Sequence, residues 1–195
     1  EATEGISDIC ISKLLTEFNL NKEDCFLVNG PVNLGRLLQL PTLIDRPDLK
    51  FKPFTPQYPP FLRKGLEIFE HLKNEDLVLH HPYECFDVVA EFINSAADDP
   101  SVVAIFQTIY RTGSTSGLMR SLINAVNKGK EVTVIVELMA RFDEETNINW
   151  ASKLEEIGAH VVFGVVGNKT HAKMCLVVRK EENRLTRYCH LGTGN

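Results

Sequence analysis

The chain has 195 residues, 44% of them hydrophobic, and a net charge of -5 from 21 Lys and Arg against 26 Asp and Glu. That is enough apolar material for a core, which excludes disorder by composition, and the acidic balance excludes a general nucleic-acid binder. No apolar run approaches the length of a membrane span, and no signal peptide is expected. Five cysteines (Cys10, Cys25, Cys85, Cys175 and Cys189), odd in number and without a Cys-x-x-Cys pair, predict reduced, buried thiols in a cytosolic protein. The chain starts at Glu1 without Met and stops in "HLGTGN", a Gly-rich turn directly after a predicted strand, so it reads as a piece of a longer protein.

Residues 1–45 read as helix and turn. "SDICISKLLTEF" offers Ser7 as an N-cap ahead of apolar residues at helical spacing. Prolines from Pro41 to Pro60 deny helix and most ladder bonds, so residues 46–60 read as an extended linker and 61–195 as a separate domain. In that domain "DLVLHHPY" is predicted as a strand, "CFDVVAEFINSAADD" as a helix, "SVVAIFQTIY" as a buried strand and "TSGLMRSLINAVNKG" as a helix ended by Gly129. "EVTVIVEL" reads as a strand and "DEETNINWASKLEEIG" as a helix with acids in its first turn. "HVVFGVV", "AKMCLVVR" and "LTRYCHLG" read as strands, the last two joined by the hairpin-like turn "KEENR". The alternation predicts an α/β fold with a mixed, largely parallel sheet flanked by helices, preceded by a short helical segment.

Ligands of such sheets gather at the carboxyl ends of the parallel strands. Arg111 and Arg141 follow two strand ends, thirty residues apart, and two guanidiniums there can clamp a polyanion. His171 and Lys173 stand at the start of the apolar run "AKMCLVV", and residues two apart on a strand face the same side. Two arginines, a lysine and a histidine make a phosphate-handling set, in which the imidazole is the one member able to act as a nucleophile near neutral pH. The bland readings are a charged strand end for His171 and Lys173, and solvated or ion-paired arginines, with Asp143, Glu144 and Glu145 at hand for Arg141. "GSTSG" after Arg111 reads equally as a phosphate loop or as a capped turn. His80, His81 and Cys85 have a zinc-like spacing but lack a fourth ligand.

Several stretches, "HHPYECFDVV", "TIYRTG", "ELMARFDEE", "GNKTHAKMCLVVRK" and "RYCHLGTGN", resemble bacterial polyphosphate kinase, and more distantly the phospholipase D superfamily. The resemblance covers about Asp45 to Asn195 closely. It implies a phospholipase D-like catalytic half over 61–195, the first of two, after the tail of a helical middle domain. It also implies reversible transfer of the ATP γ-phosphate to inorganic polyphosphate, with His171 phosphorylated, Arg111 and Arg141 at the magnesium-phosphate site, Lys173 stabilising phosphate and His190 as a second, acid-base candidate. Since Mg²⁺ takes oxygen ligands, both arginines are expected to reach the metal only through phosphate. The residue that orients His171 is open, Glu137 being one guess. Further implications are a cytoplasmic enzyme that assembles as a homo-oligomer when full length and binds no nucleic acid; peripheral membrane association stays open. A piece holding one of two halves is expected to be inactive alone. The alternatives are a phospholipase D-type phosphodiesterase, against which Val178 counts because it stands where that superfamily has an acid, and a non-catalytic polyanion-binding module.

Overall fold

The computed structural model describes residues 1–60, 62, 67–112, 116–140, 143–165 and 167–194. The chain divides into two compact units, Glu1–Phe54 and Thr55–Asn195. In the first, β1 (Ala2–Thr3) pairs in parallel with β2 (Leu27–Val28), and α1 (Asp8–Glu17) begins at Ser7, whose hydroxyl accepts the Cys10 backbone N–H at 3.3 Å. A 3₁₀ turn, Leu34–Gln39, runs into the short α2 (Leu40–Leu43). None of the residues of α1 or α2 is buried.

The second unit carries α3 (Ile68–Leu72), α4 (Asp87–Asp98), β3 (Val102–Ile109), α5 (Gly117–Asn127), β4 (Glu131–Val136), α6 (Glu144–Glu156), β5 (His160–Phe163), β6 (Lys173–Glu181) and β7 (Arg184–Gly192). The helices form because their apolar residues fall on one stripe. Val88, Val89, Phe92, Ile93, Ala96 and Ala97 are the buried stripe of α4, and Met119, Leu122 and Ala125 that of α5. In β4, Val132, Val134 and Val136 alternate into the core, as a period of two requires.

The sheet order is β5-β4-β3-β6-β7. β3, β4 and β5 run parallel, while β6 is antiparallel to β3 and forms a hairpin with β7. The sheet is mixed and flanked by helices, with two of its four pairings parallel. This order puts the start of β6 beside the end of β3.

Two expectations are corrected. "DLVLHHPY" is not a strand: residues 75–80 have no regular structure and 81–83 turn. Pro82 has no N–H to give, and the His80 N–H goes to the Glu84 carboxylate at 2.6 Å instead of to a ladder. The cysteines are all free, but they are not uniformly buried: Cys175 is, whereas Cys10 and Cys189 are exposed and Cys25 and Cys85 half-buried. Cys189 lies on the outward-facing register of the edge strand, so alternation turns it to solvent. Within the proline-rich stretch, Gln57 bridges to Glu84 and Tyr58 donates its hydroxyl to Glu91 at 2.8 Å, so these residues belong to the larger unit.

The far end of the hairpin is tied down by a polar cluster. Arg179 pairs with Asp99 and Glu181, each at 2.7 Å. Glu181 also accepts from the Tyr188 hydroxyl at 2.6 Å and from Thr186 at 3.0 Å. The Phe69 ring lies 5.5 Å from the Arg179 guanidinium and 5.0 Å from the Tyr188 ring, which links the hairpin to α3.

Candidate active site

Tyr110 and Arg111 follow directly on β3, and His171 and Lys173 stand at the start of β6. Because β6 pairs antiparallel with β3, with Gln107 opposite Cys175, these four residues come to one end of the sheet. Thr108 fastens the join: its hydroxyl donates to the Ala172 carbonyl at 2.7 Å and accepts the Met174 N–H at 2.9 Å.

The segment before β6 is held from the other side by β4. Glu137, 3% exposed, accepts the Thr170 N–H at 2.5 Å and the Met139 N–H at 2.8 Å. Lys169 donates to the Met139 carbonyl at 3.0 Å. Asn147 of α6, fully buried, donates to the carbonyls of Tyr110 at 2.9 Å and Glu137 at 3.0 Å. One amide group thereby ties the ends of β3 and β4 together.

The side chains meet on Tyr110. The His171 ring stands nearly perpendicular to it, with centroids 4.7 Å apart at 77°. The Lys173 ammonium lies over the Tyr110 ring at 4.2 Å, a cation–π distance, and donates to the His171 carbonyl at 2.7 Å. The Arg111 guanidinium is 5.4 Å from the same ring and pairs with Asp143 at 3.2 Å. Asp143 thus serves Arg111. Burial, and then the like charge of Arg111, push Lys173 below the ordinary lysine value.

His190 lies on β7 opposite Cys175, and Gly192 lies opposite Lys173, so His190 and Lys173 share a sheet face. A Cβ on Gly192 would stand 3.3 Å from His190 Cε1 and 3.5 Å from Lys173 Cβ, so the missing side chain leaves the gap between them. Burial, and then the charge of His81, push the His190 imidazole below the ordinary histidine value. No contact among the described residues joins His190 to His171. Arg141 and residues Gly113, Ser114 and Thr115 of "GSTSG" lie outside the described residues; Ser116, next in line, caps α5 by accepting the Met119 N–H at 3.4 Å.

The sequence pattern thus singled out His171, Lys173 and Arg111, and these do converge. It passed over Tyr110, Thr108 and Asn147. A tyrosine at the end of an apolar strand reads as packing. Asn147 carried one signal: with Ala151 and Leu154 it sits in the buried stripe of α6, where a polar residue needs a partner.

The arrangement offers two cations and an exposed imidazole, a donor set suited to a phosphoryl group. It does not suit a bare metal ion, for the described residues contain no group of three His, Cys, Asp or Glu side chains able to hold one. A family model described as "Polyphosphate kinase C-terminal domain 1" matches residues 67–195. The chain belongs to the polyphosphate kinase family. It is 58% identical over 189 residues to the polyphosphate kinase of Burkholderia multivorans, covering 95% of this chain and 28% of that protein. The corresponding protein of Paraburkholderia phytofirmans is 57% identical over the same span. The crystal structure of polyphosphate kinase from Porphyromonas gingivalis superimposes with a TM-score of 0.67 at 31% identity, over 88% of this chain and 28% of that one. The chain therefore spans about 28% of the length of the polyphosphate kinases it matches.

Proposed function

We propose that this chain supplies the phosphoryl-accepting histidine of a polyphosphate kinase. The observation that carries the reading is the convergence of His171, Lys173 and Arg111 on the Tyr110 ring. A lone pair on the His171 imidazole attacks the γ-phosphorus of ATP. A P–N bond forms as the bond to the β–γ bridging oxygen breaks, and ADP leaves with that electron pair. A terminal oxygen of inorganic polyphosphate then attacks the phosphohistidine, the P–N bond breaks and the lone pair returns to the ring. The P–N bond keeps a high transfer potential, so the same steps run in reverse.

Lys173 and Arg111 hold the transferring oxygens and neutralise charge as it develops. Arg141 joins them. His190, whose imidazole is pushed below the ordinary histidine value by burial and then by the charge of His81, serves as the acid-base partner. Arg111 and Arg141 would bind the phosphate oxygens of the nucleotide, and Mg²⁺, when bound with it, would supply further charge neutralisation there. The active protein is a longer, cytoplasmic homo-oligomer, and this chain alone turns over little ATP. No helix of the described residues is long and apolar enough to cross a membrane. The phosphodiesterase alternative would need an acid where Val178 lies half-buried in β6.

The test replaces the matching segment of the B. multivorans enzyme with this chain and incubates the chimera with Mg²⁺ and γ-labelled ATP. Acid-labile, base-stable label on the His171 peptide is expected, lost together with polyphosphate synthesis in His171→Ala. Synthesis that survives His171→Ala would remove the nucleophile role.

A further inference from the structure

Residues that act as nucleophiles are usually aimed by a hydrogen bond to the ring's second nitrogen. His171 has none among the described residues, and its side chain is exposed. Among the described residues its ring stands against that of Tyr110, at 4.7 Å and nearly perpendicular. We propose that Tyr110 is the positioning residue of this site, setting the orientation of the His171 imidazole and the place of the Lys173 ammonium with a single ring.

Three observations support this. First, the root of Tyr110 is fixed. Its carbonyl accepts from Asn147, an amide with no solvent exposure whose second bond goes to the end of β4. A ring can aim a neighbour only if its own backbone is held, and here it is held to two strands and a helix. Second, Lys173 is bound twice to the same pair of residues, by the His171 carbonyl at 2.7 Å and by the Tyr110 ring at 4.2 Å. The π-face attracts a cation without presenting a counter-charge, so this contact does not neutralise the ammonium ahead of a phosphoryl group. A carboxylate in that place would compete with the substrate. Third, the His171 backbone is fixed independently, by Glu137 at Thr170 and by Thr108 at Ala172. What remains free is rotation of the imidazole about its own side-chain bonds, which is the motion the ring contact restricts.

Among the described residues, no hydrogen bond to either imidazole nitrogen accompanies this contact. A hydrogen-bonded orienter would occupy one of them. A ring contact lets either nitrogen face the phosphorus while the other exchanges a proton with solvent or substrate. The fine placement of a nucleophile is worth much in rate, because a displacement of about 1 Å can cost on the order of 100-fold.

This inference rests on His171 being the nucleophile, so the experiment has two arms. In the first, the 195-residue chain is labelled with ¹³C-histidine and the His171 ring signals are recorded by NMR. They are expected to be displaced by the Tyr110 ring current, to stay displaced in Tyr110→Phe, and to move to free-histidine values in Tyr110→Leu while the backbone amide spectrum elsewhere is unchanged. Signals at free-histidine values in the unsubstituted chain, or unmoved in Tyr110→Leu, overturn the proposal. In the second arm the chimera is assayed for the rate of label uptake at His171. Tyr110→Phe is expected within about threefold of the unsubstituted chimera. Tyr110→Leu is expected to lose about 30-fold or more in kcat with KM for ATP within about threefold, of the size expected for a misplaced reacting group. Equal rates in Tyr110→Leu overturn the positioning role alone. Absence of label in every form, the unsubstituted one included, overturns the nucleophile reading and this inference with it.

Discussion

Asn147 is the residue whose loss should be felt furthest from its own position. It is fully buried, and its amide donates to two carbonyls that have ended their strands, Tyr110 at 2.9 Å and Glu137 at 3.0 Å. In Asn147→Leu the volume is nearly kept, but both carbonyls lose this donor in a site closed to water. A buried acceptor left unpaired costs about 1–3 kcal/mol. For two of them, about 2–4 kcal/mol is expected, since neighbouring groups relax in part. The chain has one tryptophan, Trp150, three residues along the same helix, so fluorescence reports on this unit and not on Glu1–Phe54. With a urea m-value of about 2 kcal/mol/M, the middle of the usual range, the unfolding midpoint should fall by about 1–2 M. A change under about 0.3 M with an unchanged m-value would refute the view that this amide holds the strand ends together.

Three further outcomes follow from the same geometry. Hydrogen bonding from Tyr188, and then Arg179 and Thr186, outweighs burial and holds the Glu181 carboxyl at about 2, against an ordinary 4.5. A carboxylate with a lowered value stabilises the fold above pH 4.5 and loses that contribution as pH falls towards 2. Urea midpoints should therefore drop across this window and flatten in Glu181→Gln, the difference being on the order of 1.5–3 kcal/mol for bonds to a charged group; parallel profiles would count against it. Thr108→Val removes the hydroxyl that bridges Ala172 and Met174, at about 1–2 kcal/mol, and should speed hydrogen exchange at the Met174 amide. Unaltered protection there would mean the bridge is idle. Burial, and then the neighbouring Cys189, push the Cys175 thiol up to about 12, so alkylation at pH 8 should modify exposed Cys10 and Cys189 and spare Cys175 until the chain unfolds. Peptide mass spectrometry would show an error if Cys175 were modified as fast as Cys189.

Much of the fold was legible because it rests on local periodicity. Val132, Val134 and Val136 announce a strand, and the four-residue recurrences of α4 announce a helix. "DLVLHHPY" was misread because its alternation is that of a strand while Pro82 and the Glu84 carboxylate satisfy or remove the amides locally. Strand order is another matter. Nothing in the apolar run of β6 says that it lodges on the outer side of β3, antiparallel, with β7 beyond it. That placement depends on which edge is open once β4 has taken the other. It is also what brings His171 to Tyr110. The paired His171 and Lys173 were therefore visible in the sequence, and their platform was not.

The strand order has a consequence for how the chain comes to exist. β3 is the central strand and the first of the five to be made. One of its edges is taken by β4 soon after. The other waits for β6, about sixty residues downstream. At roughly 5–20 residues per second of synthesis, that edge stays bare for some seconds on the ribosome. The bare edge belongs to "VVAIFQTI", a run with the composition of an aggregation-prone strand. The element that ends this exposure is the one that begins at Lys173, two residues after His171. In this protein, closing the sheet and assembling the site are one event, so a nascent chain that has not yet protected itself cannot yet carry the site.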